Sequence, residues 1–375
     1  MTITSGIKSE DIFMKTGLIY DPIYLEHRIG VHVESHERLI GIMEFLEEKG
    51  ILDNENFKII RPREATLEQI KYVHQESLIK EVKEVSEIAK VTGHIQQLDM
   101  DTAASAKTYE ASLYSVGGNL NGIDEIIEGK VKNAFASVRP PGHHSNSYKC
   151  AGFCIFNNVA IAAEYLLKEK GLKRVAIIDW DCHAGNGTSD IFYNGSKNGE
   201  VIFFDSHQDG RTLYPGTGFI NDIGEEGGQG KIINFPMPPR AADDVNIIFF
   251  DEIIAPICRE FKPEFFLISA GFDTHWTDRL TNMGWTYQGP ANYLKKIKEI
   301  AGEYANDRIL ITLEGGYEID KQARAVYNCM QVLDDSKNEL IEESARESDN
   351  DVLNYINNKV IPKLKEHLNP YWNCF

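Results

Sequence analysis

The stretch Ala176-Ile177-Ile178-Asp179-Trp180-Asp181-Cys182-His183 carries most of what this chain says about itself. An apolar, β-branched run ends in two carboxylates and an imidazole at alternate positions. In an extended chain successive side chains point to opposite sides. Asp179, Asp181 and His183 then share one side, and Trp180 and Cys182 take the other. Such a cluster at the end of a strand can hold a divalent metal.

A strand is expected there over Arg174–Asp179, and comparable strand-like runs recur at Ala134–Val138, Val201–Asp205, Lys231–Phe235, Phe265–Ala270 and Arg308–Leu313. Stretches with helical spacing of apolar residues lie between several of them, at Asn157–Lys170, Asp244–Phe261 and Pro290–Tyr304. Strands alternating with helices predict an α/β protein with a central, mostly parallel sheet covered on both faces. Polar or glycine-bearing motifs follow four of the strands: Arg139-Pro140-Pro141-Gly142-His143-His144, the Asp179–His183 cluster, Ala270-Gly271-Phe272-Asp273 and Glu314-Gly315-Gly316-Tyr317. Ligands of open α/β sheets bind beyond the carboxyl ends of the strands, so the four loops are expected to converge there. The motifs span about half of the 375 residues, which predicts a single domain over 1–375.

The first hundred residues read mainly as helices, clearest at Glu34–Glu48 and Thr66–Ala89, with a Thr66/Gln69 capping box opening the second. Asp334–Asp351 reads as an acidic surface connection. A helical segment over Val352–Leu368 follows, which Pro362 should kink or break.

Lysine plus arginine number 39 and aspartate plus glutamate 57, a net charge of −18. That argues against a phosphate-backbone partner and suits a cationic substrate such as a basic peptide or a polyamine. The six cysteines form no C-x-x-C pair and read as reduced thiols of a cytoplasmic protein. Met1–Lys15 has no apolar core, so no signal peptide is expected, and no apolar run approaches the length of a membrane span.

Taken residue by residue, ligation by Asp181, His183 and Asp273 would leave one coordination position for water or substrate. Asp179, deeper in the sheet, needs a histidine N–H or a monovalent cation as partner. His143 and His144 follow two prolines and a glycine and face the metal cluster. One imidazole can move a proton between water and a leaving amine, and the other can hold the water and supply positive charge.

These motifs, with Gly152-Phe153-Cys154-Ile155-Phe156-Asn157 and Gly185-Asn186-Gly187, resemble the zinc-dependent histone deacetylase family and its acetylpolyamine amidohydrolase relatives. The resemblance covers roughly residues 17–333. It implies an arginase/deacetylase-like fold and removal of acetyl or acyl groups from acetylated amines by attack of zinc-bound water. The expected substrate is acetyl-lysine in a protein or peptide, with acetylpolyamines or other small acyl amides as the alternative. It also implies Asp181, His183 and Asp273 as ligands of one Zn²⁺, with Fe²⁺ as the alternative ion. His144 corresponds to the general base and acid, His143 to its electrostatic partner and Tyr317 to the donor for the oxyanion. Asp179 and Asn186 correspond to the carboxylate and amide behind the two histidines, Asp179 also lining a structural K⁺ site.

The resemblance places Phe153, Tyr214, Leu280 and Gly152 along a narrow acyl-lysine tunnel. Asp101 corresponds to a rim carboxylate that grips substrate backbone, although a helix N-cap explains it equally well. Leu280 stands where the polyamine-specific branch carries glutamate, Tyr214 where phenylalanine is usual, His32-Val33-Glu34 where His-Pro-Glu is common, and Asp205 where serine is frequent. The last change affects any potassium site. No nucleic-acid or membrane partner is expected; homo-oligomerisation is left open.

Two other classes fit less well. Binuclear manganese ureohydrolases need Asp-x-His-x-Asp, but Gly185 stands at the last position, and the late motif is Asp273-Thr274-His275 rather than Asp-x-Asp. A non-catalytic acyl-amide binding module would have lost a ligand, a histidine or the tyrosine.

Overall fold

The computed structural model describes residues 15–335 and 339–375. Most of the N-terminal segment read for a signal peptide, and 336–338 of the acidic connection, lie outside the described residues. Ten strands are present: β1 (Thr16–Ile19), β2 (Phe57–Ile60), β3 (Gln96–Gln97), β4 (Ala103–Ala104), β5 (Asn133–Ala136), β6 (Arg174–Asp179), β7 (Glu200–Gln208), β8 (Ile232–Met237), β9 (Phe265–Ala270) and β10 (Ile309–Leu313). Eight of them form one sheet in the order β2-β1-β5-β10-β9-β6-β7-β8, and every pairing in it is parallel. β3 and β4 make a small antiparallel pair. All six residues of β9 and all five of β10 are buried, as expected of strands covered on both faces.

The four motif-bearing strands are β5, β10, β9 and β6, and they are contiguous at the centre of the sheet. Their register is tight: Asp179 pairs with Ser269, and Thr312 pairs with both Ser269 and Ala136. The loops leaving their carboxyl ends therefore meet at one place.

Two corrections concern the first hundred residues. β1 and β2 are strands in a region read mainly as helices. Each has four residues and no alternating pattern, so parallel pairing, not local propensity, makes them strands. The helix expected over Thr66–Ala89 is also divided, into Leu67–Ile70 and Glu76–Thr92. The capping box at Thr66 and Gln69 does form. The chain then turns because the Gln75 N–H donates to the Ser147 carbonyl at 2.7 Å and His74 Nδ1 donates to the Asn146 carbonyl at 2.8 Å. Tertiary bonds to the loop that follows His143 and His144 outweigh continuation of the helix.

Pro362 does not break the last helix. Asn350–Tyr355 runs through a π-helical turn at Ile356–Val360 into Ile361–Leu368. Pro256 is accommodated in the same way, after a π turn at Phe250–Ile254. A widened turn takes up the ring and the missing N–H that would otherwise disrupt the helix.

Candidate active site

The Asp179–His183 segment leaves β6 with each carboxylate clamped by backbone amides. Asp179 Oδ1 accepts the Asp181 N–H at 2.9 Å, Asp181 Oδ2 accepts the Gly315 N–H at 2.8 Å, and Asp273 Oδ1 accepts the Cys182 N–H at 2.9 Å. These bonds tie the β6, β9 and β10 loops together. They leave Asp273 Oδ2 at 2.8 Å and Asp181 Oδ1 at 3.3 Å from His183 Nδ1. Ligand atoms of Asp181, His183 and Asp273 all lie within 4.8 Å of one another, and the three residues are buried. Two oxygens and one imidazole nitrogen in that arrangement fit a single divalent cation of the zinc or ferrous class. Burial alone would lower the His183 pKa, yet the two carboxylates push it up to about 10. The donors thus form a negative well built for positive charge.

Cys182 and Trp180 point away, Trp180 packing at 5.9 Å from Tyr293. Gly185 is a matter of space: a Cβ there would lie 2.5 Å from Asp179 Oδ2. No carboxylate fits at that position without moving Asp179.

The two histidines are differentiated by what stands behind them. His143 Nδ1 donates to Asp179 Oδ2 at 3.0 Å. Burial disfavours its charge, but Asp181 and Asp179 override that and hold the pKa well above the ordinary value. His144 Nδ1 donates to Asn186 Oδ1 at 2.6 Å. Burial and the neighbouring His143 and His183 hold its pKa well below the ordinary value. The surroundings thus favour the charged form of His143 and the neutral form of His144, and the Nδ1 contact to Asn186 leaves Nε2 of His144 free to take a proton. The groups behind the two rings also differ: a carboxylate backs His143 and an amide backs His144.

Phe153 and Tyr214 flank a tunnel of about 220 Å³, also lined by Asp101, Gly152, Leu213 and Leu280, that ends at His143, His144, Asp181, His183 and Tyr317. The Tyr214 ring lies 5.2 Å from His144. Phe153 has φ of 68°, a left-handed conformation that costs a bulky residue about 1–3 kcal/mol. The Thr102 hydroxyl takes its N–H at 3.1 Å and holds it there. Gly152 permits the close approach, since a Cβ would meet His144 Cδ2 at 2.1 Å. Asp101 Oδ1 accepts the Gly152 N–H at 3.0 Å and the Thr102 hydroxyl at 2.9 Å. It caps no helix, which removes the N-cap alternative; the next helix starts at Thr108.

Six residues at the site were given no role in the sequence reading. Glu34 is fully buried between two guanidiniums: Arg139 grips it through Nε and through Nη2 at 2.8 Å, and Arg38 Nη1 donates to it at 3.1 Å. Arg38 also donates to the carbonyls of Gly316 at 2.7 Å and Glu314 at 2.6 Å. Glu34 thereby joins the loop carrying the histidines to the loop carrying Tyr317. Glu314 accepts the N–H groups of Gly142 at 2.8 Å and His143 at 3.2 Å. Asp278, which burial pushes up to about 7, accepts the N–H groups of Tyr317 and Leu280, both at 2.9 Å. His32 stacks edge-on to Phe153 at 4.7 Å. For Arg139, Glu314, His32 and Glu34 the signal was their place inside quoted motifs; Arg38 and Asp278 are linked to the site only in space.

At the expected potassium position, Asp179 already carries protein partners on both oxygens, and the Ser206 hydroxyl donates to its carbonyl at 3.2 Å. Asp205 turns to the Gly185 N–H at 2.9 Å and to His207 at 3.0 Å. These contacts single out no potassium cradle, and no step is assigned to that ion.

No helix among the described residues is long and apolar enough to cross a membrane. Residues 32–333 match the family model described as the histone deacetylase domain. The chain is 35% identical over 373 residues to a probable deacetylase of Archaeoglobus fulgidus, covering 96% of this chain and all of that one. It is 35% identical over 324 residues to the chloroplastic histone deacetylase 14 of Arabidopsis thaliana, covering 82% of this chain and 74% of that one. The crystal structure of the HDA15 HD domain superposes with a TM-score of 0.85 at 28% identity, covering 96% of each chain. With the central motif-bearing strands and this extent of similarity, the chain belongs to the histone deacetylase family.

Proposed function

We propose that this protein is a metal-dependent hydrolase that removes acetyl groups from acetylated amines, with acetyl-lysine in a peptide or protein as the substrate class. The observation that carries this is the pairing of an amide-backed His144 with a carboxylate-backed His143 at the end of an aromatic tunnel. A zinc or ferrous ion held by Asp181, His183 and Asp273 would polarise the acyl carbonyl and acidify the attacking water. One ion is favoured over two because Gly185 supplies no ligand and has no room for one.

The chain's own groups supply the proton transfers. His144 Nε2 accepts a proton from water as its oxygen attacks the acetyl carbon. The Tyr317 phenol, kept un-ionised by burial, donates to the developing oxyanion. His143 offsets negative charge as it builds. His144 then returns the proton to the amine nitrogen, the C–N bond breaks, and acetate and free amine leave. Phe153 and Tyr214 accept a methylene chain between their rings, and Leu280 presents no acid to a cationic polyamine.

The test is a panel of an acetyl-lysine peptide, longer acyl-lysines, acetylputrescine and acetylspermidine, run with metal analysis. The reading requires one divalent ion per chain and the highest kcat/KM on an acetyl-lysine peptide. Preference for an acetylpolyamine would overturn the substrate class, and two manganese ions per chain would overturn the mechanism.

A further inference from the structure

A phenol that meets a developing oxyanion must be held in place before the charge appears. The chain enters Tyr317 through Gly316, whose φ of 114° lies where only glycine is at ease. The Tyr317 ring is flanked by the Arg38 guanidinium, 5.2 Å from its centroid, and by Phe153 at 6.1 Å. Neither contact fixes the backbone from which the ring hangs. That backbone is held by Asp278, whose Oδ2 accepts the Tyr317 N–H at 2.9 Å.

Asp278 belongs to the turn that carries Asp273, and this turn is closed on itself. The Asp278 N–H donates to the His275 carbonyl at 2.8 Å, and the Thr281 hydroxyl donates to the Asp273 carbonyl at 2.5 Å. The other carboxylate oxygen, Oδ1, accepts the Leu280 N–H at 2.9 Å. One side chain thus joins the turn of a metal-ligand candidate, the tunnel wall and the tyrosine. Asp278 is 7% exposed, and no ion pair reaches it among the described residues. Burying an acid without a counter-ion is costly, and here both oxygens go to N–H groups of site residues. Asp278 lines a separate cavity of about 530 Å³ rather than the tunnel, so it acts on the reaction only through other residues.

We propose that Asp278 is a positioning residue: its carboxylate fixes Tyr317 against the Asp273 turn and so sets the place of the oxyanion donor relative to the metal ligands. This rests on the oxyanion role proposed above for Tyr317.

A double-mutant cycle on the metal-loaded enzyme tests it, with an acetyl-lysine peptide as substrate and metal content matched across variants. Asp278→Ala removes both acceptors. It should lower kcat by about 10- to 10²-fold, less than outright loss of the donor, and change KM by less than about threefold. Asp278→Asn keeps one acceptor oxygen and should retain more of kcat; it serves in the same cycle should the alanine variant not fold. In a Tyr317→Phe background either substitution should cost less than about a further twofold. The same fold-loss in both backgrounds, or unchanged kcat in Asp278→Ala, would overturn the proposal. A second readout needs no turnover. With fluorotyrosine in place of Tyr317, the fluorine resonance should shift or broaden in Asp278→Asn. It should not do so in Arg279→Gln, which breaks only the neighbouring exposed pair with Glu318 at 2.7 Å. An unmoved resonance in Asp278→Asn would reject the positioning even where Tyr317 proves essential. Near-normal turnover in Tyr317→Phe with a shifted resonance would count against the oxyanion role alone.

Discussion

Replacing Glu34 with glutamine removes one negative charge from the place where two buried guanidiniums converge. Glu34, Arg38 and Arg139 are all fully buried, so neither arginine can turn to water for compensation. Burial alone would raise the Glu34 pKa, but Arg139 and then Arg38 hold it well below the usual carboxylate range. Glutamine keeps the shape and one acceptor oxygen but leaves two positive charges with no counter-charge from residue 34. Breaking a buried ion pair from one side costs about 3–5 kcal/mol. With an unfolding entropy of about 2.1 cal/mol/K per residue, a chain this long should lose roughly 5 °C in Tm. Urea denaturation at neutral pH measures the free energy directly. The depressed Glu34 pKa means that its stabilisation is present above the unfolded carboxylate range and is lost as pH falls through the lower folded value. The variant should therefore also lose part of the wild-type decline in stability at acid pH. Because Glu34 joins the His143–His144 loop to the Tyr317 loop, kcat should fall with the catalytic metal still bound. A stability change below about 1 kcal/mol would refute the assignment of Glu34 as the central anion of this network.

Tyr317→Phe should lower kcat by about 10²–10³ and leave the metal content unchanged; near-normal turnover would remove Tyr317 from the oxyanion role. Burial lowers the His74 pKa to about 4, opposed only in part by its bond to Asn146. The unfolded chain then binds the additional proton between about pH 6.5 and 4, so stability should fall across that window as pH drops, by up to about 3 kcal/mol. The same slope in His74→Gln would reject this. Burial raises the Asp243 pKa to about 6, against hydrogen bonds from Thr286. The folded state holds that proton more tightly, so stability is lost as pH rises through the folded value, and Asp243→Asn should gain about 1–3 kcal/mol at pH 7. No gain in denaturant midpoint would show that Thr286 satisfies the carboxylate fully.

The sequence by itself determined the α/β class, the strands that carry the motifs and the residues at their ends. β6 and β9 fall on their expected bounds because each is a continuous apolar run that ends in a polar switch. The Asp181–His183–Asp273 cluster and the histidine pair were legible for the same reason: chemistry-bearing residue types are rare enough at strand ends to stand out. What it could not supply was anything created by pairing or by distance. β1 and β2 are too short to declare themselves, and the break after Ile70 comes from bonds to residues 72 positions away. Only the tertiary structure decided that Glu34 bridges Arg38 and Arg139, and that the surroundings favour charge on His143 and disfavour it on His144. Both depend on burial and on which charges lie nearby, and neither quantity is written in the order of residues.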